Sequence, residues 1–266
     1  MGTVIQILAR ELGQKETYIQ NVVDLIDEGN TIPFIARYRK ELHGAMDDTT
    51  LRTLADRLQY LRNLDKRRAE VKSAIETQGK LTEELAAAIE GAATLAEVED
   101  LYLPYKPKRR TRATMAKERG LEPLAEALFA LGDPVDPQTL AEGYVDPEKG
   151  VATAADALQG ASDIIAETIS DDAGVRKSLR ELYLRRGMLV SRAADKEPAD
   201  SVYRLYYDFR TPVGKAMGHQ VLAINRGERE NVLKAGVELD GETARIAVRR
   251  AVVPGRAAME FVRAAA

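Results

Sequence analysis

The sequence predicts a mainly α protein: an elongated multi-helix scaffold with a long strut helix, a helix-turn-helix-like module and minor β structure. Three observations carry that prediction. Apolar residues recur at steps of three and four through most of the chain, capping residues stand at the matching breaks, and only two short segments, 188–191 and 232–239, favour strands. At 266 residues, 45% hydrophobic and 30% charged, the chain is long enough for one large domain or two small ones and too apolar for a disordered tail.

The first element is a helical hairpin. Ala9, Gly13, Ile19, Val22 and Val23 have the spacing in which a small Ala faces a second helix, Gly takes a left-handed turn, and Ile and Val fill the shared core. Its second helix, 15–29, sets Lys15 against Glu16, Asp24, Asp27 and Glu28. That excess of carboxylates repels phosphate, so a packed hairpin is favoured over DNA readout. After Asp47 and Asp48, a stripe runs through Leu51, Leu54, Leu58, Leu61, Leu64, Val71 and Ile75. With Asp48 as cap and Gly79 as stop it reaches Gln78, a strut of more than about 40 Å at ~1.5 Å per residue.

Thr82 opens a helix through Leu85 and Ile89. Thr94 and Glu97 read as a capping box ahead of Leu95, Val98 and Leu101, and Pro104 and Pro107 stop that helix. Residues 114–131 read as one helix or as a pair broken near Gly120 and Pro123. The stretch 132–150, with Pro134, Pro137, Pro147 and its glycines, is the best candidate for a boundary, giving an N-terminal helical region 1–131 and a central helical region 132–266. Within the latter, 152–169 and 175–186 are helical, the second through Val175, Leu179, Leu182 and Tyr183, and Gly236 marks a bend in the second strand segment. The helix-forming run 256–266 has neither a capping glycine nor a polar tail, as expected of a region truncated at its C-terminal end.

Composition excludes several function classes. Lys plus Arg number 39 against 42 Asp plus Glu, a net charge of −3, so any nucleic-acid site is local. Cysteine is absent, which removes thiolate nucleophiles and sulfur-based metal sites and fits a reducing cytoplasm. The longest uncharged stretch, Ala216 to Asn225, falls far short of the roughly 20 apolar residues of a membrane span, and Arg10 and Glu11 interrupt any signal-like run. His43 and His219 stand alone, without metal-ligand spacing, and both read as structural. Phosphate-binding, dinucleotide and nucleophile-elbow motifs are missing, so no catalytic residue, metal or cofactor is nominated.

One segment invites a binding role. Lys106, Lys108, Arg109, Arg110 and Arg112 make five of the seven residues from 106 to 112 basic, and from 104 to 119 seven cations face Glu118 alone. Such density on a proline-stiffened segment suits phosphate, with Tyr102 and Tyr105 as nearby stacking faces. The alternative pairs these cations with Glu97, Glu99 and Asp100, or uses them to anchor another domain. Nucleic acid and protein are equally good partners on this reading.

Several stretches carry a family resemblance: Asn30-Thr31-Ile32-Pro33-Phe34-Ile35-Ala36-Arg37-Tyr38-Arg39-Lys40-Glu41, Asp47-Asp48-Thr49, 57–62, 78–82, above all Leu101 to Thr114, and later Asn225-Arg226-Gly227-Glu228 with Val232-Leu233. Together they closely resemble the N-terminal region of the Tex family of bacterial transcription accessory proteins. The resemblance implies an elongated, non-catalytic helical scaffold at the front of a longer protein, ahead of RNase H-like, helix-hairpin-helix and S1 domains. It also implies nucleic acid as a partner of the full-length protein, chiefly through the S1 end, and work beside RNA polymerase or ribosome-associated machinery in the cytoplasm. A eukaryotic elongation factor and histone chaperone shares the architecture, by analogy only.

Overall fold

A computed structural model describes residues 3–130, 132–195 and 201–266, and its chain packs as two compact units, 1–105 and 106–266. Leu131, where the sequence reading ends a helix and places the domain boundary, lies outside the described residues. The proline- and glycine-rich stretch that follows belongs to the second unit, and its Ala141, with nearby Val151, is buried in that unit's core.

The first unit holds six α-helices among its described residues: α1 (Val4–Leu12), α2 (Glu16–Asp27), α3 (Ile32–Tyr38), α4 (Asp48–Thr77), α5 (Glu83–Gly91) and α6 (Leu95–Tyr102). The predicted hairpin forms as α1 and α2: Gly13 turns at φ 64°, and Ala9, Ile19, Val22 and Val23 are buried between the helices. Helix α4 runs 30 residues, about 45 Å at ~1.5 Å per residue, and every residue of the predicted stripe is buried. The start shifts by one: the Asp47 carboxylate, not Asp48, accepts from the Thr50 N–H at 2.7 Å, while Asp48 pairs with Arg52 at 2.6 Å.

The stripe of α4 serves two separate cores. Leu51, Leu54, Leu58 and Leu61 pack with Leu8, Ile19, Val22 and Ile35, whereas Leu64, Val71 and Ile75 pack with Ile89, Ala92 and Val98. Within the second stretch the buried position between Leu64 and Val71 is Arg68, which donates to the Ala92 carbonyl at 2.7 Å and pairs with Asp65. The expected capping box at α6 is half formed. Thr94 accepts from the Glu97 N–H, but the Glu97 carboxylate accepts from the Ala93 N–H at 2.7 Å rather than from that of Thr94.

The second unit contains α7 (Arg112–Glu118), α8 (Glu122–Phe129), α9 (Pro137–Glu142), α10 (Ala154–Asp171), α11 (Ala173–Arg186), β1 (Met188–Ala193), β2 (Asp208–Pro212), α12 (Gly218–Arg229), β3 (Leu233–Glu238), α13 (Gly241–Val252) and α14 (Met259–Ala265). Helix α10 is its axis, with Ala157, Ala161, Ile164, Ile165 and Ile169 buried against Ala116, Leu121, Leu124 and Val262. Gly160 permits the close approach: a Cβ there would lie 2.3 Å from Leu121 Cδ1 and 3.2 Å from Ala116 Cβ.

The two expected strands appear as β1 and β3, joined by an unexpected third, and the antiparallel sheet has the order β2-β1-β3 with Val190 opposite both Arg210 and Gly236. Strand β2 escapes sequence reading because Asp208, Arg210 and Pro212 are exposed and only Phe209 and Thr211 turn inward, as suits an edge strand. The Asn225-to-Leu233 signature joins helix to sheet. A Cβ on Gly227 would meet Leu233 at 2.5 Å, and the Glu228 carboxylate accepts from the Ala235 N–H at 2.9 Å.

Candidate nucleic-acid interface

The basic segment follows α6, whose regular helix gives way to a 3-10 turn at Leu103–Tyr105 containing Pro104. The chain re-enters helix at α7, capped by the Thr111 hydroxyl, which accepts from the Thr114 N–H at 3.0 Å. Helix α7 thus starts at Arg112 rather than 114, and the last of the five cations sits on its first turn. Residues 106–111 form a loop between the two.

Three side chains tie this segment to one edge of α10. Asp163, Glu167 and Asp171 stand four residues apart and so share a helical face. Asp171 takes the Lys108 ammonium, with Glu167 3.6 Å away. Glu167 also accepts from the Thr111 hydroxyl at 3.0 Å, and Asp163 lies 3.8 Å from the Arg112 guanidinium. Lys108 is 27% exposed, whereas Arg112, at 80%, keeps most of its surface in solvent.

The remaining cations face outward. Arg110 reaches Glu118 at 2.8 Å but is 70% exposed, a geometry in which an ion pair contributes about 0–1 kcal/mol and gives way readily to a competing anion. Lys106 and Arg109 are exposed and have no ion-pair partner among the described residues. The five predicted residues therefore divide into an anchor, Lys108 with Arg112, and an outward set, Lys106, Arg109 and Arg110.

The predicted accessories differ from expectation. Tyr102 and Tyr105 are half-buried against the core around Leu64 and Ile75, and Tyr102 lies under the Arg67 guanidinium, 5.5 Å from its ring centre. Both keep part of their surface in solvent, and one face of Tyr102 is taken by Arg67. Of the acidic neighbours, Glu99 pairs with Arg67 at 2.6 Å and Asp100 is buried. Apart from Glu118, eight residues beyond Arg110, the carboxylates that meet the segment come from α10, far away in sequence, as the Lys108–Asp171 separation of 63 illustrates.

The hairpin is engaged with its own unit. Arg57 of α4 clasps Glu11 through two hydrogen bonds, 2.7 and 2.8 Å, and Arg62 clasps Asp27 through two of 2.7 Å. These hydrogen bonds hold both carboxyls below the ordinary carboxylate range. His43 is buried with no hydrogen bond from the described residues to either ring nitrogen, and His219 is exposed on α12. Among the described residues no group of three or more His, Cys, Asp or Glu is arranged to hold a metal ion, and no helix is long and apolar enough to cross a membrane.

Two family models match the chain: Tex-like protein N-terminal domain over residues 2–76 and Tex central region-like over 133–263. Protein tex of Bordetella pertussis is 44% identical over 241 residues, 90% of this chain and 30% of its own length. Transcriptional accessory protein Tex of Neisseria gonorrhoeae is 43% identical, covering 88% of this chain and 31% of its own length. The human S1 RNA-binding domain-containing protein 1 is 32% identical over 89% of this chain and 24% of its own length. The chain spans about a quarter to a third of the length of these curated relatives.

Proposed function

The chain belongs to the Tex family of transcription accessory proteins, and from that premise we propose that it is the non-catalytic helical scaffold of a nucleic-acid-binding protein, with Lys106, Arg109 and Arg110 contacting phosphate. The observation that carries this reading is the division of the basic segment. Lys108 and Thr111 hold it to α10 while Lys106 and Arg109 stand in solvent without carboxylate partners among the described residues. A loop so anchored keeps its remaining charges in place, which lowers the ordering cost of meeting a polyanion. The cytoplasm is the proposed compartment, beside RNA polymerase or ribosome-associated machinery.

A second reading is favoured by the anchor itself: the α10 carboxylates already bind part of the segment, as a structural platform would. On that reading the outward cations dock the RNase H-like, helix-hairpin-helix or S1 domains that the family resemblance implies. A salt titration separates the two. With labelled single-stranded RNA, Lys106→Ala/Arg109→Ala/Arg110→Ala flattens the log–log salt slope by about 2, at ~0.7 per phosphate contact on single strands. An unchanged slope in a folded variant rejects phosphate contact by the loop and leaves the platform.

A further inference from the structure

The segment 30–41, which the basic loop does not involve, carries an aromatic pair, half-buried Phe34 and exposed Tyr38, among cations that meet no carboxylate among the described residues. Helix α3 is fixed by Ile35, fully buried in the first unit's core, and by Pro33 in its first turn. Four-residue spacing puts Phe34 and Tyr38 on one face, where their rings lie 5.2 Å apart at 47°. The loop that follows is held too: the Asn21 amide donates to the Leu42 carbonyl at 2.9 Å, and His43 is buried behind it. The aromatic pair therefore sits on a rigid base.

Neither core packing nor ion pairing accounts for what this base displays. Tyr38 is 56% exposed in a chain with only 4 Phe, 10 Tyr and no Trp. Around the rings stand Arg37, 6.0 Å from the Tyr38 ring centre, and Arg39, 5.4 Å from that of Phe34, with exposed Lys40 next in sequence. None of the three cations has an ion-pair partner among the described residues. By contrast, the preceding helix α2 carries Glu16, Asp24 and Asp27 and no cation.

We propose that Phe34, Arg37, Tyr38, Arg39 and Lys40 form a second contact for single-stranded nucleic acid, in which a base stacks on the Tyr38 ring and the cations meet the flanking phosphates. An aromatic face accepts any base, and guanidinium groups beside it serve both stacking and phosphate, which gives a sequence-tolerant site. An acidic protein segment would use the cations but leave the ring pair without a planar partner. The site belongs to the first unit, and nothing in it depends on residues 106–112.

The test uses this chain with Lys106, Arg109 and Arg110 already changed to Ala, so that the loop cannot supply the binding. The probes are a single-stranded RNA oligomer carrying 2-aminopurine and an abasic oligomer with the same number of phosphates. Tyr38→Leu lowers affinity for the base-bearing strand about tenfold and abolishes 2-aminopurine quenching, but leaves abasic binding unchanged; Tyr38→Phe restores both losses. Arg37→Ala/Lys40→Ala weakens both strands and flattens the salt slope by about 1.4. Failure of the loop-substituted chain to bind the base-bearing strand overturns the proposal, as does equal binding by the Tyr38→Phe and Tyr38→Leu chains. Circular dichroism and melting confirm folding, and if Tyr38→Leu does not fold, quenching by Tyr38→Phe against Arg37→Ala/Lys40→Ala decides the question.

Discussion

Helix α4 and the 106–112 segment are both dense in Arg and Lys, yet they engage their cations to different extents. On α4 every cation meets a carboxylate: Arg52 with Asp48, Arg57 with Glu11, Arg62 with Asp27, Lys66 and Arg67 with Glu70, Arg68 with Asp65, and Lys72 with Glu90. In the segment 106–112, Lys106 and Arg109 meet none among the described residues. Charge density alone does not mark a nucleic-acid site. What distinguishes the proposed contact is a cation without a carboxylate partner among the described residues on a backbone that is held.

The comparison breaks most visibly through the apolar side of α4. Leu54→Ala costs about 2–5 kcal/mol of first-unit stability in urea denaturation, because Leu54 is fully buried where α4 meets the hairpin and α3. Arg57→Ala/Arg62→Ala costs at most about 1 kcal/mol per pair, since all four partners are partly exposed, and leaves the RNA salt slope unchanged. A flatter slope in that double variant would show that α4 cations meet phosphate and would erase the contrast.

A smaller effect sharpens the other side. Glu167→Gln/Asp171→Asn removes the carboxylates that hold Lys108, so the freed ammonium adds one phosphate contact and steepens the single-strand salt slope by ~0.7. An unchanged slope would place Lys108 outside the reach of nucleic acid.

The smallest effect is one of pH. Glu11 and Asp27 have carboxyls depressed by hydrogen bonds from Arg57 and Arg62, so their folded-state values lie below their unfolded ones. Their stabilisation is complete above the unfolded carboxylate range, about pH 4, and is lost as pH falls through the folded values. The stability gap between the parent chain and Arg57→Ala/Arg62→Ala therefore stays constant from about pH 7 to 5 and closes as pH falls through the depressed folded-state values. A gap independent of pH in denaturation curves would mean that the two Arg act through packing instead.

Legibility followed the range of the interaction. The α4 stripe and the Gly13 turn were readable because burial on a helix repeats every three or four residues and a left-handed turn selects glycine locally. The cap at Asp47 was missed by one residue because adjacent aspartates offer the same local chemistry. Arg68 is not part of the stripe by residue type, and its burial is tolerable because folding brings the Ala92 carbonyl to it beside the Asp65 carboxylate of its own helix. The Phe34 and Tyr38 spacing was present in the text, but whether such a pair packs inward or faces solvent is not a property of spacing.

The sequence by itself determined the helical class, the hairpin, the long helix and the position of the five clustered cations, all of which rest on contacts within a few turns of chain. Tertiary structure decided which of those cations are engaged. Asp163, Glu167 and Asp171 reach the segment only because Gly160 lets α10 pack closely on Ala116 and Leu121, at the base of α7. An ion pair depends on distances of a few ångströms between residues far apart in sequence, and those distances exist only once the core has closed.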